Sequence, residues 1–326
     1  MTRARETLID LEQTSYYHCI ARCVRRAFLC GDDHVTGKSF EHRKGWVTER
    51  LDYLAKTFSI DIASYAVMSN HYHLVLRVDV DKANDWSEAN VVRRWKRVCK
   101  VPLIVEKYLK GDASSGMALM AQDLINVWRQ RLTDISWFMR LLNEHLARKA
   151  NKEDNCTGRF WEGRFKSQAL LDEAAVLTAM AYVDLNPIRA NMAKTPETSE
   201  YTSIQQRIKQ QQNKPVDNKV KLLNLTQQNT NNHRHGFQFS KQDYFELVET
   251  SGRIIRDDKR GFIDSNLPPI LERLNLEPDG FIQLMKRNDD IAGLKAIGSP
   301  SALTHFIESA EQKFIKGIGL SRKLYT

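Results

Sequence analysis

Two histidines one residue apart, His71 and His73, stand in the run Met68-Ser69-Asn70-His71-Tyr72-His73-Leu74-Val75-Leu76. The stretch from His71 onward reads as a strand, and strand side chains alternate faces, so both imidazoles point the same way, towards one ion. Neutral imidazole is the commonest protein metal ligand, and two on one face make half of an open site. The competing reading is a pair of strand histidines facing solvent or satisfied by carboxylates. Further along, Asp172-Glu173 reads as an acidic first helical turn, and Pro187 is expected to end that helix at or near Asn186. Tyr182 and Asn186 lie four apart on one helical face, which stacks a phenol nucleophile beside an amide oxygen able to ligate a hard metal. The blander version is a buried tyrosine anchoring the helix and an asparagine capping its end. Asp184, two residues from Tyr182, faces elsewhere and is expected in a solvent-exposed or salt-bridged role rather than as a base.

Local patterning places the elements that hold these groups. Residues 14–24 form a first strand and residues 38–57 a first helix, with Trp46, Leu51 and Leu54 at helical spacing. Ile60 to Val67 and the histidine strand come next, with Ser69-Asn70 as the turn between them. A helix runs through the Arg93 cluster. From 101 to 150 the pattern is a helical insertion with Trp128, Trp137, Phe138, Leu141 and Leu142 as core. Phe165 to Leu171 reads as the last strand and 172–186 as the helix carrying Tyr182. This order suits an antiparallel α+β sandwich.

Beyond the two chemical elements stand Tyr16-Tyr17-His18-Cys19-Ile20-Ala21-Arg22 near the start and Gly158-Arg159-Phe160-Trp161-Glu162-Gly163-Arg164-Phe165 before the second helix. With Tyr182-Val183-Asp184-Leu185-Asn186-Pro187-Ile188-Arg189-Ala190, they make the chain resemble the bacterial REP-associated tyrosine transposases, within the single-tyrosine HUH transposases. The resemblance covers residues 10–205. It implies a ferredoxin-like antiparallel sheet with helices on one face, Tyr182 as nucleophile, and His71, His73 and Asn186 as ligands of Mg²⁺ or Mn²⁺. It also implies single-stranded DNA beside a palindromic hairpin as partner, a 5′-phosphotyrosine intermediate with a free 3′ hydroxyl, and no nucleotide cofactor. Tyr72, at a position usually held by a plain hydrophobic residue, departs mildly from the family pattern. Length departs more, through the insertion and a C-terminal region that the compact transposases lack.

Composition agrees with a nucleic-acid partner: 49 Lys and Arg against 40 Asp and Glu leave a net charge of +9. The basic residues cluster at Arg22, Arg25 and Arg26, at Arg93, Arg94, Lys96 and Arg97 around Trp95, and at Arg159, Arg164 and Lys166 around Trp161. Cations for phosphates interleaved with rings for unstacked bases suit a single strand, although each cluster could equally be the wet face of a helix. Charge of this kind supplies affinity rather than sequence choice.

Five cysteines, Cys19, Cys23, Cys30, Cys99 and Cys156, are odd in number and scattered, against a disulfide framework; their spacing also lacks the paired pattern of a zinc site. No signal-peptide core or membrane-spanning run is read, so a soluble, cytoplasmic, nucleoid-associated protein is expected, with a homodimer left open. Residues 205–235, rich in Gln and Asn, read as a linker between the catalytic domain, 10–204, and a helical accessory domain, 236–326. Arg253, Arg256, Lys259 and Arg260 suggest a DNA-contacting or regulatory module there, with a plain helical stabilising domain as the equal alternative, whereas His233-Arg234-His235 reads as solvated tail. Two rival functions remain: a catalytically silent hairpin-binding regulator, and a metal-dependent phosphoesterase that uses water.

Overall fold

A computed structural model of the 326-residue chain describes residues 9–24, 29–32, 37–217, 219–225, 239–255, 271, 275–286, 293–310 and 314–325, with side chains left out at 253–255, 283 and 286. Arg25, Arg26, His233-Arg234-His235, Arg256, Lys259, Arg260 and the Arg253 side chain lie outside them.

Five strands make one sheet: β1 Tyr16–Arg22, β2 Ile60–Val67, β3 His71–Val78, β4 Lys166–Leu170 and β5 Ala296–Ile297, in the order β2-β3-β1-β4-β5. The first four pair antiparallel in the ferredoxin-like order, and β5 joins β4 in parallel, so the sheet is mixed. The residues of β2 and β3 are buried nearly throughout, which accounts for their unbroken runs of Ile, Val, Leu, Tyr and Ala. They are joined by a tight turn in which the Met68 amide donates to the His71 carbonyl at 2.9 Å.

Helix α1, Arg43–Ala55, links β1 to β2. Between β3 and β4 come α2 Val80–Asn84, α3 Glu88–Lys96, α4 Leu103–Lys110, α5 Ser115–Arg131 and α6 Ile135–Glu153. Gly111, at φ 82°, takes the left-handed conformation that closes α4, a position where a Cβ would be strained. After β4 come α7 Glu173–Asp184, α8 Asn186–Arg189, α9 Ser203–Gln211, α10 Lys241–Ile255, α11 Pro278–Lys286, α12 Pro300–Ser309 and α13 Ile318–Leu324.

Strand alternation gives the sheet a core on each face. Tyr17, Cys19, Leu74 and Leu76 pack towards α1 and the α3 to α6 insertion, while Val75 and Leu170 pack towards α7. The resemblance implied helices on one face. Here both faces are covered, because both sets of alternating strand residues are apolar and each needs a partner layer.

Three further expectations change. The indole of Trp95 is not a base platform. It is buried within the insertion, 5.5 Å from Trp128 at 7° between planes and 5.5 Å from Trp137. Its neighbour Arg94 stacks 4.0 Å over Trp86 and donates to the carbonyls of Lys56 and Thr57 at 3.0 Å, so that cation secures the end of α1.

Nor does the chain enter a linker at 205. α9 runs through that boundary with Gln206 and Arg207 buried. The Gln206 amide exchanges hydrogen bonds with the main chain of Val220, and Arg207 donates to the carbonyls of Ala63 and Leu223. Polar side chains can be buried here because each meets backbone partners, which glutamine-rich composition does not foretell.

The described C-terminal residues are not a separately cored unit either. α10, α11 and α13 share the apolar core of α7, and β5 extends the main sheet.

Candidate active-site cleft

Helix α7 is apolar all round, with Ala, Val, Leu and Met on every side, and is buried on all sides between the sheet and α10. Its N-terminus is capped by Asp172, whose carboxylate accepts from the Ala175 amide at 2.8 Å. Pro187 does not simply terminate this helix. α7 closes at Leu185, and Asn186-Pro187 opens the short α8, where a missing N–H costs no helical bond. The outcome keeps Tyr182 and Asn186 on one wall of a cleft of about 450 Å³ whose opposite wall holds His71 and His73.

Register sets the histidines. Arg22 of β1 lies opposite His71 and Ile20 opposite His73, while His18 lies opposite Gln168 of β4. His71 and His73 therefore share the α7 face of the sheet, their ring centroids 4.8 Å apart and that of Tyr182 5.9 Å from His73. Burial, then the Arg22 charge, pushes His71 down to about 4, and burial holds His73 well below the usual imidazole range. Both rings are neutral near pH 7, as metal ligation requires. His71 Nδ1 sits 2.5 Å from Asn70 Oδ1, an acceptor, so Nδ1 carries the proton and Nε2 the lone pair.

Asn186 is buried, and its Nδ2 finds no hydrogen-bond partner among the described residues. Among the described residues no group of three or more His, Cys, Asp or Glu side chains could hold a metal ion. The available donors are thus two imidazoles and an amide, which fit a borderline-to-hard divalent cation. Cys19, Cys23 and Cys30 are buried in the core on the α1 face.

The rim is cationic: Arg22, Arg164 and Lys166 are exposed and line the cleft, with Glu162 among them. Arg159 is exposed but is not part of the lining. Trp161 acts as an anchor, its indole donating to the Asn143 carbonyl at 2.8 Å and meeting Tyr72 edge-on. That anchor holds the stretch paired to β1, where the Glu162 amide donates to the Arg22 carbonyl at 2.8 Å. Arg93 and Lys96 of α3 and the following Arg97 are exposed, but no cation of this cluster lines the cleft.

Reading the residues in order missed three groups, Arg189, His18 and Gln168. The guanidinium of Arg189 stands 4.3 Å over the Tyr182 ring and hydrogen-bonds with that side chain. Its spacing of i+7 from Tyr182 was the available signal. His18 lies 2.9 Å from His73 Nδ1 and 2.8 Å from Gln168 Oε1. Its contacts depend on strand register, for which the sequence carries no direct sign.

Asp184 corrects the expectation of an exposed or salt-bridged carboxylate. It is fully buried and accepts from the Ser203 hydroxyl, the Ile204 amide and the Tyr244 phenol. Burial pushes it up to about 6, against the opposing pull of those bonds and of the nearby Arg207. The folded state thus holds this proton more tightly than the unfolded chain does. The associated stability is full below the unfolded value of 3.8 and is lost as pH rises through about 6. The unfolding free energy of the natural chain, taken relative to Asp184→Asn and measured by denaturant titration, should fall across that interval by an amount on the order of 2–3 kcal/mol. A pH-independent difference would contradict the assignment.

No helix among the described residues is long and apolar enough to cross a membrane. No family model matches the chain, and no curated protein does. Among solved structures it is similar to that of a REP-associated tyrosine transposase bound to a REP hairpin, with a TM-score of 0.38 and 10% identity, over 64% of this chain and 86% of that one. A likeness that loose carries no argument about chemistry, which rests on the cleft itself.

Proposed function

We propose that the chain is a metal-dependent single-stranded DNA endonuclease and strand transferase that cuts beside a palindromic hairpin through a 5′-phosphotyrosine intermediate. The observation that carries this reading is the convergence of Tyr182 and Asn186 with His71 and His73 on one cationic cleft. In this reading residues 10–204 hold the catalytic module and the C-terminal residues support it.

A phosphodiester resists attack because its anionic oxygens repel nucleophiles, so charge must be neutralised and the attack aligned. A divalent cation, Mg²⁺ or Mn²⁺, held by His71, His73 and the Asn186 amide oxygen would supply charge to the scissile phosphate. The Tyr182 oxygen attacks phosphorus in line; the Tyr–O–P bond forms as the P–O3′ bond breaks. The phenol loses a proton and the departing 3′ oxygen gains one, so the step is balanced. Arg189, against the Tyr182 ring and phenol, places a positive charge beside the attacking oxygen. Because the ester conserves the bond, a 3′ hydroxyl can reverse the step and join a strand without nucleotide hydrolysis.

Arg22, Arg164 and Lys166 hold the strand by its phosphates. Each alanine variant should weaken binding similarly for all sequences and flatten the slope of log affinity against log salt by about 0.7, the value for one phosphate contact on a single strand. An unchanged slope would remove that residue from the DNA path.

The test is labelled single-stranded hairpin DNA with Mn²⁺ or Mg²⁺, resolved on a denaturing protein gel. Label at the mass of the protein, abolished by chelator, is expected. Binding without adduct across several hairpins would favour a silent binding protein. Cut DNA without adduct would favour a phosphoesterase that uses water.

A further inference from the structure

One continuous hydrogen-bonded chain runs from the C-terminal region into the cleft, and each of its links has a forced direction. The Gln168 amide nitrogen lies 2.8 Å from the main-chain carbonyl of Leu294. A carbonyl can only accept, so Gln168 Nε2 donates there and Oε1 must face the other way. Oε1 stands 2.8 Å from His18 Nδ1, which therefore carries a proton. His18 is fully buried between the neutral Gln168 amide and the His73 ring, a setting that favours the uncharged imidazole, so its second nitrogen, Nε2, is an acceptor. That acceptor lies 2.9 Å from His73 Nδ1. The bond between them exists only if His73 Nδ1 bears the proton, which leaves the lone pair on His73 Nε2.

The setting makes this direction consequential. His18, His73 and Gln168 are all nearly fully buried, so solvent cannot readily replace a missing partner. The His18 and His73 rings are 16° from parallel, and an N···N distance of 2.9 Å is too short for face-to-face stacking, so they meet edge to edge. The Leu294 carbonyl is itself held beside Gln168 by strand pairing. The Ala169 and Leu171 amides donate to the carbonyls of Lys295 and Ile297, each at 2.9 Å. The same segment also grips the start of α7 through the Ser299 amide, which donates to the Asp172 carboxylate at 2.7 Å, beside the Tyr325 hydroxyl at 2.9 Å.

We propose that the C-terminal segment around Leu294 sets the proton positions of the cleft, acting through Gln168 and His18 to hold His73 in the tautomer that leaves Nε2 open for a cation. Gln168 and His18 are positioning residues, and the C-terminal segment is a structural control on a site that lies in another part of the chain. The inference takes the cation from the function proposed above, but the tautomer stands independently of it. Asn70 performs the matching task for His71 from within the turn, so the two ligands are prepared by different parts of the molecule.

The decisive experiment reads the tautomer in the full, metal-free chain with ¹⁵N-labelled histidine, by two-bond ¹⁵N–¹H correlation, and then measures Mn²⁺ affinity by calorimetry. Three chains are compared: the natural one, Gln168→Leu and Gly298→Val. Gly298 lies outside the cleft, but a Cβ there would meet the Leu171 Cβ at 2.9 Å and Asp172 Oδ2 at 3.3 Å, pushing the segment off β4.

In the natural chain His73 should show a protonated Nδ1 and a bare Nε2. Both variants, with unchanged circular dichroism, should mix the tautomers and lose Mn²⁺ affinity by about 10- to 100-fold, the range expected when the partner orienting a ligand is removed. Cooperative thermal unfolding in both variants guards against a result caused by misfolding alone. A protonated Nε2 on His73 in the natural chain would overturn the proposal, as would an unaltered tautomer in Gln168→Leu. The expected tautomer together with no Mn²⁺ binding would instead overturn the cation site and leave the orienting role standing.

Discussion

Tyr182→Phe is expected to abolish the covalent protein–DNA adduct while leaving hairpin affinity within about threefold of the natural chain, because the lost oxygen is used in the transition state rather than in ground-state binding. The substitution is well controlled by the surroundings. The ring keeps its edge contacts with His18 and His73, at centroid distances of 6.0 and 5.9 Å, and its place under the Arg189 guanidinium. Only the hydroxyl goes, at a stability cost of about 1 kcal/mol for one hydrogen bond. Cleavage measured by gel should fall by at least about 10³-fold, a loss of the size seen when a nucleophile is removed and binding alone persists. Adduct still formed by the Tyr182→Phe variant would require another nucleophile and discard the assignment.

The second large effect concerns His71. His71→Ala should weaken divalent-metal binding by about 100-fold or more, since losing a ligand exceeds the 10- to 100-fold cost of losing a partner that orients one. His71 is the better probe of the pair. It is half-buried at the very start of β3, whereas His73 is buried and bonded into the His18 chain, so His73→Ala would also leave His18 Nε2 without its partner. Strand pairing at position 71 is made by the main chain and survives the change, so the shift in melting temperature should correspond to no more than roughly 1 kcal/mol. Calorimetric titration with Mn²⁺ and a cleavage assay on the same preparation give the answer. Unchanged Mn²⁺ affinity would return the two histidines to a structural role.

Much of the fold could be read from local pattern. β2, β3 and the turn between them fell where their β-branched and apolar runs and Ser69-Asn70 put them, and α7 began at its acidic turn, because these features depend on neighbours in sequence. Misreadings arose where composition stood in for contacts. The glutamines of 205–212 suggested a linker, yet α9 buries Gln206 and Arg207 by pairing them with backbone groups distant in sequence. Trp95 among cations suggested a stacking platform, yet it packs on Trp128, more than thirty positions away. Asp184 was set facing away from Tyr182, and it does so, but into a buried pocket built from α9 and α10.

By itself, the sequence determined which groups could act: two imidazoles one strand repeat apart, a phenol and an amide one helical turn apart, and a surplus of cations. Those are properties of a few consecutive residues, and helix and strand periods translate them into shared faces. Only the tertiary structure decided that the two faces meet across a single cleft, that Arg189 covers the phenol, and that a carbonyl near residue 294 lies at the end of the chain of bonds reaching His73. The physical reason is register. Sliding one strand by one residue would turn His18 to the other face, and no local pattern in the chain records which residue of β1 stands beside Gln168 or His73.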